Sequence, residues 1–137
     1  MAIPEGKIFT FEPESSIRSD FLEVFPYEGE PQFIVYKTRE FSCVCPFSGL
    51  PDYGELSIEH IPHQHCVELK SFKYYLTSFR NVGIYQEPVT HRIFKDIYAL
   101  LNPQYLKVTT LYNTRGGIDA TCSIEKGVRC RSGSSSA

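Results

Sequence analysis

Residues 67–81, VELKSFKYYLTSFRN, set Leu69, Phe72, Leu76 and Phe79 at spacings of three, four and three. That recurrence is the signature of an α-helix with one apolar stripe and a polar, basic opposite face. The segments on either side show what this helix packs against.

Upstream, QFIVYKTREF (residues 32–41) alternates and is β-branched and aromatic, which predicts a strand. YGELSIEHI (residues 53–61) follows and sets Leu56, Ile58 and His60 on one face, so the two runs predict a hairpin. Downstream, PVTHRIFKDIYALLNP (residues 88–103) predicts a second helix. Pro88 suits its first turn, Val89, Ile93, Ile97 and Leu100 form its stripe, and Asn102-Pro103 stop it. YLKVTTLYNT and GIDATCSIE then alternate on either side of Arg115-Gly116-Gly117, whose glycines tolerate positive φ. The order is ββααββ, an α+β unit with an antiparallel sheet and two helices on one face. Such a sheet has open edges and a second face, which oligomerisation would close. Residues 1–31, rich in Pro, Glu and Ser, read as an extended arm, residues 32–127 as the domain, and residues 128–137 as a flexible tail.

Composition narrows the classes. A chain of 137 residues with 42% hydrophobic content suits one domain. A formal net charge of -2 argues against a protein that holds nucleic acid by neutralising phosphates, and favours a small polar ligand. No apolar run approaches the ~20 residues of a membrane span, and MAIPEGKIFTFEPESS lacks the layout of an export signal, so the expected setting is soluble and cytoplasmic. Five irregularly spaced cysteines predict free thiols rather than a disulfide framework.

The cysteines are not equivalent. Cys122, alternating with Ile118, Ala120 and Ile124, reads as a small core residue, and Cys66, at the expected helix start, and Cys130 carry no role. FSCVCPFSGLPDYG (residues 41–54) places Cys45 where Pro46 ends a strand, a junction at which a scaffold presents reactive groups, with Asp52 seven residues on. Cys45 could be a buried sulfur, or a nucleophile with Asp52 as its proton donor. It could also be a zinc ligand together with Cys43 and the HQHC run at residues 63–66. The residues alone leave these open.

The same elements, with ELKSFKYYLTSFRN, QEP and TRGGI, resemble the single-module form of the 7-cyano-7-deazaguanine reductase family, NADPH-dependent nitrile reductases of queuosine biosynthesis. The likeness covers about residues 20–125, and its most specific part is the run Glu68-Leu69-Lys70-Ser71-Phe72-Lys73-Tyr74. The resemblance implies the tunnelling fold, whose units oligomerise into barrels with sites between subunits. It implies Cys45 as the nucleophile that forms a thioimide with the substrate 7-cyano-7-deazaguanine, and Asp52 as the acid that protonates the nitrile nitrogen.

Glu87 matches the family's base-anchoring glutamate, and a carboxylate accepts two hydrogen bonds from a guanine-like edge. Val67, Glu68 and Leu69, at a helix entry, fall where the family's other substrate contacts lie. Lys70, Ser71 and Lys73, with Arg115, are the expected NADPH-binding residues, and no resident metal is implied. One departure stands out. The family usually has histidine before the glutamate, and this chain has Gln86, which hydrogen-bonds but does not titrate. The alternatives are the related archaeal branch that acts on tRNA without NADPH, and a zinc-dependent cyclohydrolase on the same fold.

Overall fold

The computed structural model describes residues 9–129. Eight elements follow in order: β1 (Val24–Pro26), β2 (Ile34–Val44), β3 (Pro51–Ile61), β4 (His65–Val67), α1 (Leu69–Thr77), α2 (Gln86–Leu101), β5 (Tyr105–Arg115) and β6 (Ile118–Gly127). The main sheet is antiparallel in the order β2-β3-β5-β6. Both helices cover one face of it, and Leu56, Ile58 and Val108 meet Phe72, Tyr75, Ile93 and Ile97 in the core between. The ββααββ order is therefore observed. No helix among the described residues is long and apolar enough to cross a membrane.

Two strands were not expected. β1 and β4 pair as a small antiparallel ribbon, Val24 opposite Val67. Residues before β2 are accordingly more than an arm. Ile17 and Leu22 are buried in the core, and the Glu12 N–H and C=O bond the Asn81 carbonyl and the Gly83 N–H. Cys66, placed at a helix start by sequence, is instead buried in β4. The Cys130 thiol and most of the proposed tail lie outside the described residues.

Each helix departs slightly from its predicted stripe. α1 buries Phe72 and Tyr75, and Phe79 just beyond it is buried too, while Leu69 is 45% exposed. α2 buries Val89, Ile93, Ile97 and Leu101, leaving Leu100 half-buried. Asn102 takes the left-handed conformation at φ 43° and ends α2, as Asn does readily at this position. Tyr75 Oη donates to Asp96 at 2.7 Å and Arg92 Nε donates to the same oxygen at 2.8 Å, which ties α1 to α2 through a charge-assisted pair.

β2 and β5 each carry a one-residue bulge. Pairing passes from Thr38 opposite Leu56 to Phe41 opposite Gly54, and from Tyr112 opposite Ala120 to Arg115 opposite Ile118. In both cases one strand advances three residues while its neighbour advances two, which flips the side-chain phase. Phe41 and Cys43 thereby join the core face that Tyr36 and Thr38 occupied. Gly116 and Gly117, at φ 59° and 76°, close the β5–β6 hairpin in the way the sequence predicts. The face of β6 is less buried than expected. Cys122 and Ile124 are half-buried and Ile118 is 70% exposed, since this edge strand outruns α2.

His60 supplies a test of the core. It is fully buried against Tyr36 and neither ring nitrogen has a hydrogen-bond partner. Burial pushes its pKa from 6.5 down to about 4, opposed only by a glancing approach to the Ile58 carbonyl. Between those values the unfolded chain binds a proton that the native state refuses, so stability is present above the unfolded pKa and is lost as pH falls toward the folded one. The loss amounts to about 3 kcal/mol. Urea unfolding from about pH 7 down to about pH 4.5 should show a shallower acid decline for His60→Phe than for the parent. An identical decline in both would exclude His60 as its source.

Candidate active site

Cys45 follows the last residue of β2 and begins a tight turn. Its N–H donates to the Leu50 carbonyl at 2.9 Å, and the Gly49 N–H donates to the Cys45 carbonyl at 2.7 Å. Gly49 sits at φ 75°, and a Cβ there would lie 2.6 Å from the Phe9 carbonyl, so the turn demands glycine. The turn folds back over the Cys45 sulfur. Partial burial raises the thiol pKa, but hydrogen bonds from the Ser48 N–H and hydroxyl and from the Phe47 N–H outweigh it. Asp52 opposes them weakly, and the net effect is a thiol below its ordinary value. Ser48 was not singled out by sequence. Its signal was the Cys-Pro-Phe-Ser-Gly run, whose proline and glycine impose a turn.

Asp52 lies near the start of β3, opposite Cys43, on the core face and 9% exposed. Arg115 Nη1 donates to its Oδ1 at 2.7 Å. The expectation that Arg115 joins the lysines is therefore not what the fold presents. The β5 bulge turns Arg115 to the face of Tyr112, over whose ring the guanidinium sits at 5.6 Å, and onto Asp52. Cys43 is buried, 3.1 Å from Tyr112 Oη and pointing at the Ile84 carbonyl, and burial foremost raises its pKa to about 11. A thiol so held is a core group. His63, His65 and Cys66 lie past the far end of β3, and among the described residues no three metal-ligating side chains converge.

The residues expected to hold the substrate divide. Residues 82–84 run beside Val44 into α2, so Glu87 starts its helix near the end of β2 that carries Cys45. Glu87 is exposed and has no ion-pair partner among the described residues. Gln86 turns inward. Its amide nitrogen donates to the Thr110 carbonyl and hydroxyl at 3.2 Å and to the Ala120 carbonyl at 2.9 Å, because it shares the buried face of Val89 and Thr90. Gln86 is thus committed to the sheet, not turned to a ligand.

Val67, Glu68 and Leu69 stand elsewhere. Leu69 lines a cleft with Val35 and Tyr36, and Tyr36 pairs with Ile58. From Asp52 to Ile58 the strand advances roughly 20 Å, more than one base can span. Val67 is buried in β4, and the Glu68 carboxylate caps α1, accepting from Ser71 N at 2.7 Å and Lys70 N at 3.1 Å. Those two bonds lower its pKa. The helix-entry N–H groups expected to be free are hence occupied. Ser71 is buried, with its hydroxyl accepting from the Glu23 N–H at 2.9 Å and donating to the Glu68 carbonyl at 2.6 Å, so it is a structural link and not a phosphate donor. Lys70 and Lys73 are exposed and not ion-paired among the described residues. Lys73 lines the cleft of about 470 Å³ between α1 and β2, and Lys70 the hollow beside Asp20 and Phe21.

Comparison with known proteins adds independent findings. A family model described as QueF-like protein matches residues 51–130. A protein named NADPH-dependent 7-cyano-7-deazaguanine reductase from Thermotoga petrophila is 53% identical over 118 residues, 85% of this chain and 86% of that one. The protein of that name from Chlorobium chlorochromatii is 43% identical over 110 residues, 79% of this chain and 95% of its own. Among solved structures, the archaeosine synthase QueF-Like in its apo form matches with a TM-score of 0.67 at 30% identity, over 73% of this chain and 98% of that one.

The turn around Cys45 makes a direct prediction. Ser48→Ala removes the hydroxyl that favours the thiolate, so the thiol pKa rises and alkylation of Cys45 at pH 7 slows by roughly threefold to tenfold. Peptide mass spectrometry after timed iodoacetamide treatment reads this at Cys45 alone. An unchanged rate would show that Ser48 does not tune the sulfur.

Proposed function

The chain belongs to the QueF-like family, and we infer that its Cys45 and Asp52 carry the covalent step of the reaction for which its relatives are named. The protein is an NADPH-dependent oxidoreductase of the queuosine pathway that reduces the nitrile of 7-cyano-7-deazaguanine to an aminomethyl group. The observation that carries the site is the Cys45 turn, a partly exposed thiol held below its ordinary pKa one residue beyond Val44, while Asp52 on the neighbouring strand pairs with Cys43, two residues before it.

A nitrile carbon is a weak electrophile, so its addition chemistry needs both a good nucleophile and a proton for the nitrogen. Cys45 Sγ adds to that carbon and Asp52 delivers the proton, giving a thioimide on the enzyme. NADPH, when bound, would supply hydride, and because a nitrile takes up two hydrides to become an amine, two molecules of NADPH are consumed in turn. Lys70 and Lys73 suit its phosphates, being exposed cations that form no ion pair among the described residues, and Lys73 borders the cleft between α1 and β2. Glu87 accepts the donor edge of the base, for which an exposed, unpaired carboxylate beside the Cys45 end of the sheet is suited. The archaeal branch is less favoured, since the reductases match this chain at 53% identity and the archaeosine synthase at 30%.

Val67–Leu69 lie on β4 and the start of α1, apart from the end of β2 that carries Cys45, so one chain does not close all of the proposed substrate contacts around a single base. A second copy of the chain supplies them, and the open edges of β2 and β6 give the copies a surface on which to meet. A cytoplasmic setting belongs to the same reading, since a reactive thiol must stay reduced.

Two measurements test these proposals. Intact-mass spectrometry of protein mixed with 7-cyano-7-deazaguanine, without NADPH, should show one added substrate mass, and Cys45→Ala should lose both adduct and NADPH oxidation. An adduct persisting in Cys45→Ala would remove that residue from the mechanism. Sedimentation velocity should place the active species well above the 15.7 kDa of one chain. Full activity in a monomer would defeat the shared-site reading.

A further inference from the structure

The addition step uses Cys45 and Asp52 and leaves Cys43, Tyr112 and Arg115 without a task, yet the fold gathers all three around Asp52. Cys43 is the cross-strand partner of Asp52, Tyr112 Oη lies 3.1 Å from the Cys43 sulfur, and both side chains are buried. The Tyr112 ring is therefore fixed, and Arg115 rests over it. From there the guanidinium reaches Asp52 Oδ1 at 2.7 Å, although its own side chain is 55% exposed. Without the extra residue in β5, Arg115 would point to the opposite face of the sheet. Asp52 Oδ2 has no hydrogen-bond partner among the described residues.

We infer that Arg115 is the positioning residue of the addition step, gripping the Asp52 carboxylate by Oδ1 so that Oδ2 is turned to carry the thiol proton of Cys45 to the nitrile nitrogen. This rests on Cys45 as the nucleophile. The proton leaves sulfur for Oδ2, and the sulfur electron pair forms the C–S bond. One π bond of the nitrile opens onto nitrogen, which takes the proton from Oδ2. Asp52 ends as the carboxylate it was, still on Arg115, and the step requires no oxidant or reductant. The Tyr112 ring, braced by Cys43, keeps the guanidinium from swinging into solvent, which its exposure would otherwise allow. An ion pair that merely decorates the surface adds little to stability. This one fixes the orientation of a carboxylate that is itself 9% exposed.

A phosphate-binding Arg115 and an Asp52-positioning Arg115 make opposite predictions, because adduct formation needs no NADPH. The test uses the full chain, rapid quenching and intact-mass detection of the adduct with 7-cyano-7-deazaguanine alone, followed by steady-state measurement of the NADPH KM. Arg115→Ala should slow adduct formation at least about tenfold, and Arg115→Lys should recover much of the loss. Its NADPH KM should stay within about twofold of the parent, whereas Lys73→Ala, the comparison, should raise that KM. In an Asp52→Asn background, Arg115→Ala should slow the adduct no further, since the two residues act as one unit. Arg115→Gln, which keeps the stem over Tyr112, gives the same reading if the alanine variant does not fold. A parental adduct rate in Arg115→Ala with a raised NADPH KM overturns the proposal, as does an additive loss on Asp52→Asn. A parent that forms no adduct overturns the covalent reading itself and takes this proposal with it.

Discussion

The extra residue that β5 carries between Tyr112 and Arg115 is the constraint on which the arrangement of this site depends. A strand presents alternate residues to opposite faces, so in regular pairing Tyr112 and Arg115 would diverge. The bulge brings them to the same side, and the matching bulge in β2 does the same for Cys43 relative to Tyr36. Between these two distorted strands runs β3, regular through its pairing with β5 and carrying Asp52 on the core face. Three strands thus converge on one carboxylate, and the cost of interrupted pairing is offset by a buried Tyr112–Cys43 contact and an ion pair.

Cys45 obeys a different constraint. It lies beyond the sheet, in a turn closed by Pro46 and by Gly49 in the left-handed region, where the polar groups of Phe47 and Ser48 favour the thiolate. Cys43 and Cys45 differ by two residues and show opposite chemistry. Burial drives the first thiol up to about 11, while hydrogen bonds bring the second below its usual value. The contrast arises because one residue is still in the strand and the other has left it.

The helices were legible because their apolar spacing is a local property, and the hairpin turn because Gly116 and Gly117 readily take the positive φ that such a turn requires and other residues resist. β1 and β4 were not, since three-residue strands carry no usable period and exist only through their pairing. The bulges were equally hidden. Nothing in YKTREF or YNTRG distinguishes a strand that slips by one residue from one that does not, and the slip is decided by the neighbouring strand. Gln86, Glu68 and Ser71 illustrate the same limit. Each has the chemistry of a ligand contact, and each is held by hydrogen bonds to residues that the chain brings near only on folding.

The sequence by itself determined the ββααββ order and the likeness to a family of nitrile reductases, and it singled out Cys45 and Asp52 as candidates, because these rest on residue type and spacing along the chain. The tertiary structure decided which groups touch Asp52, which candidate contacts are already engaged, and that Val67–Leu69 lie on β4 and the start of α1, apart from the end of β2 that carries Cys45. Those facts depend on strand register and side-chain phase. A one-residue shift in pairing turns a side chain to the other face, and register is set by contacts between segments far apart in the chain.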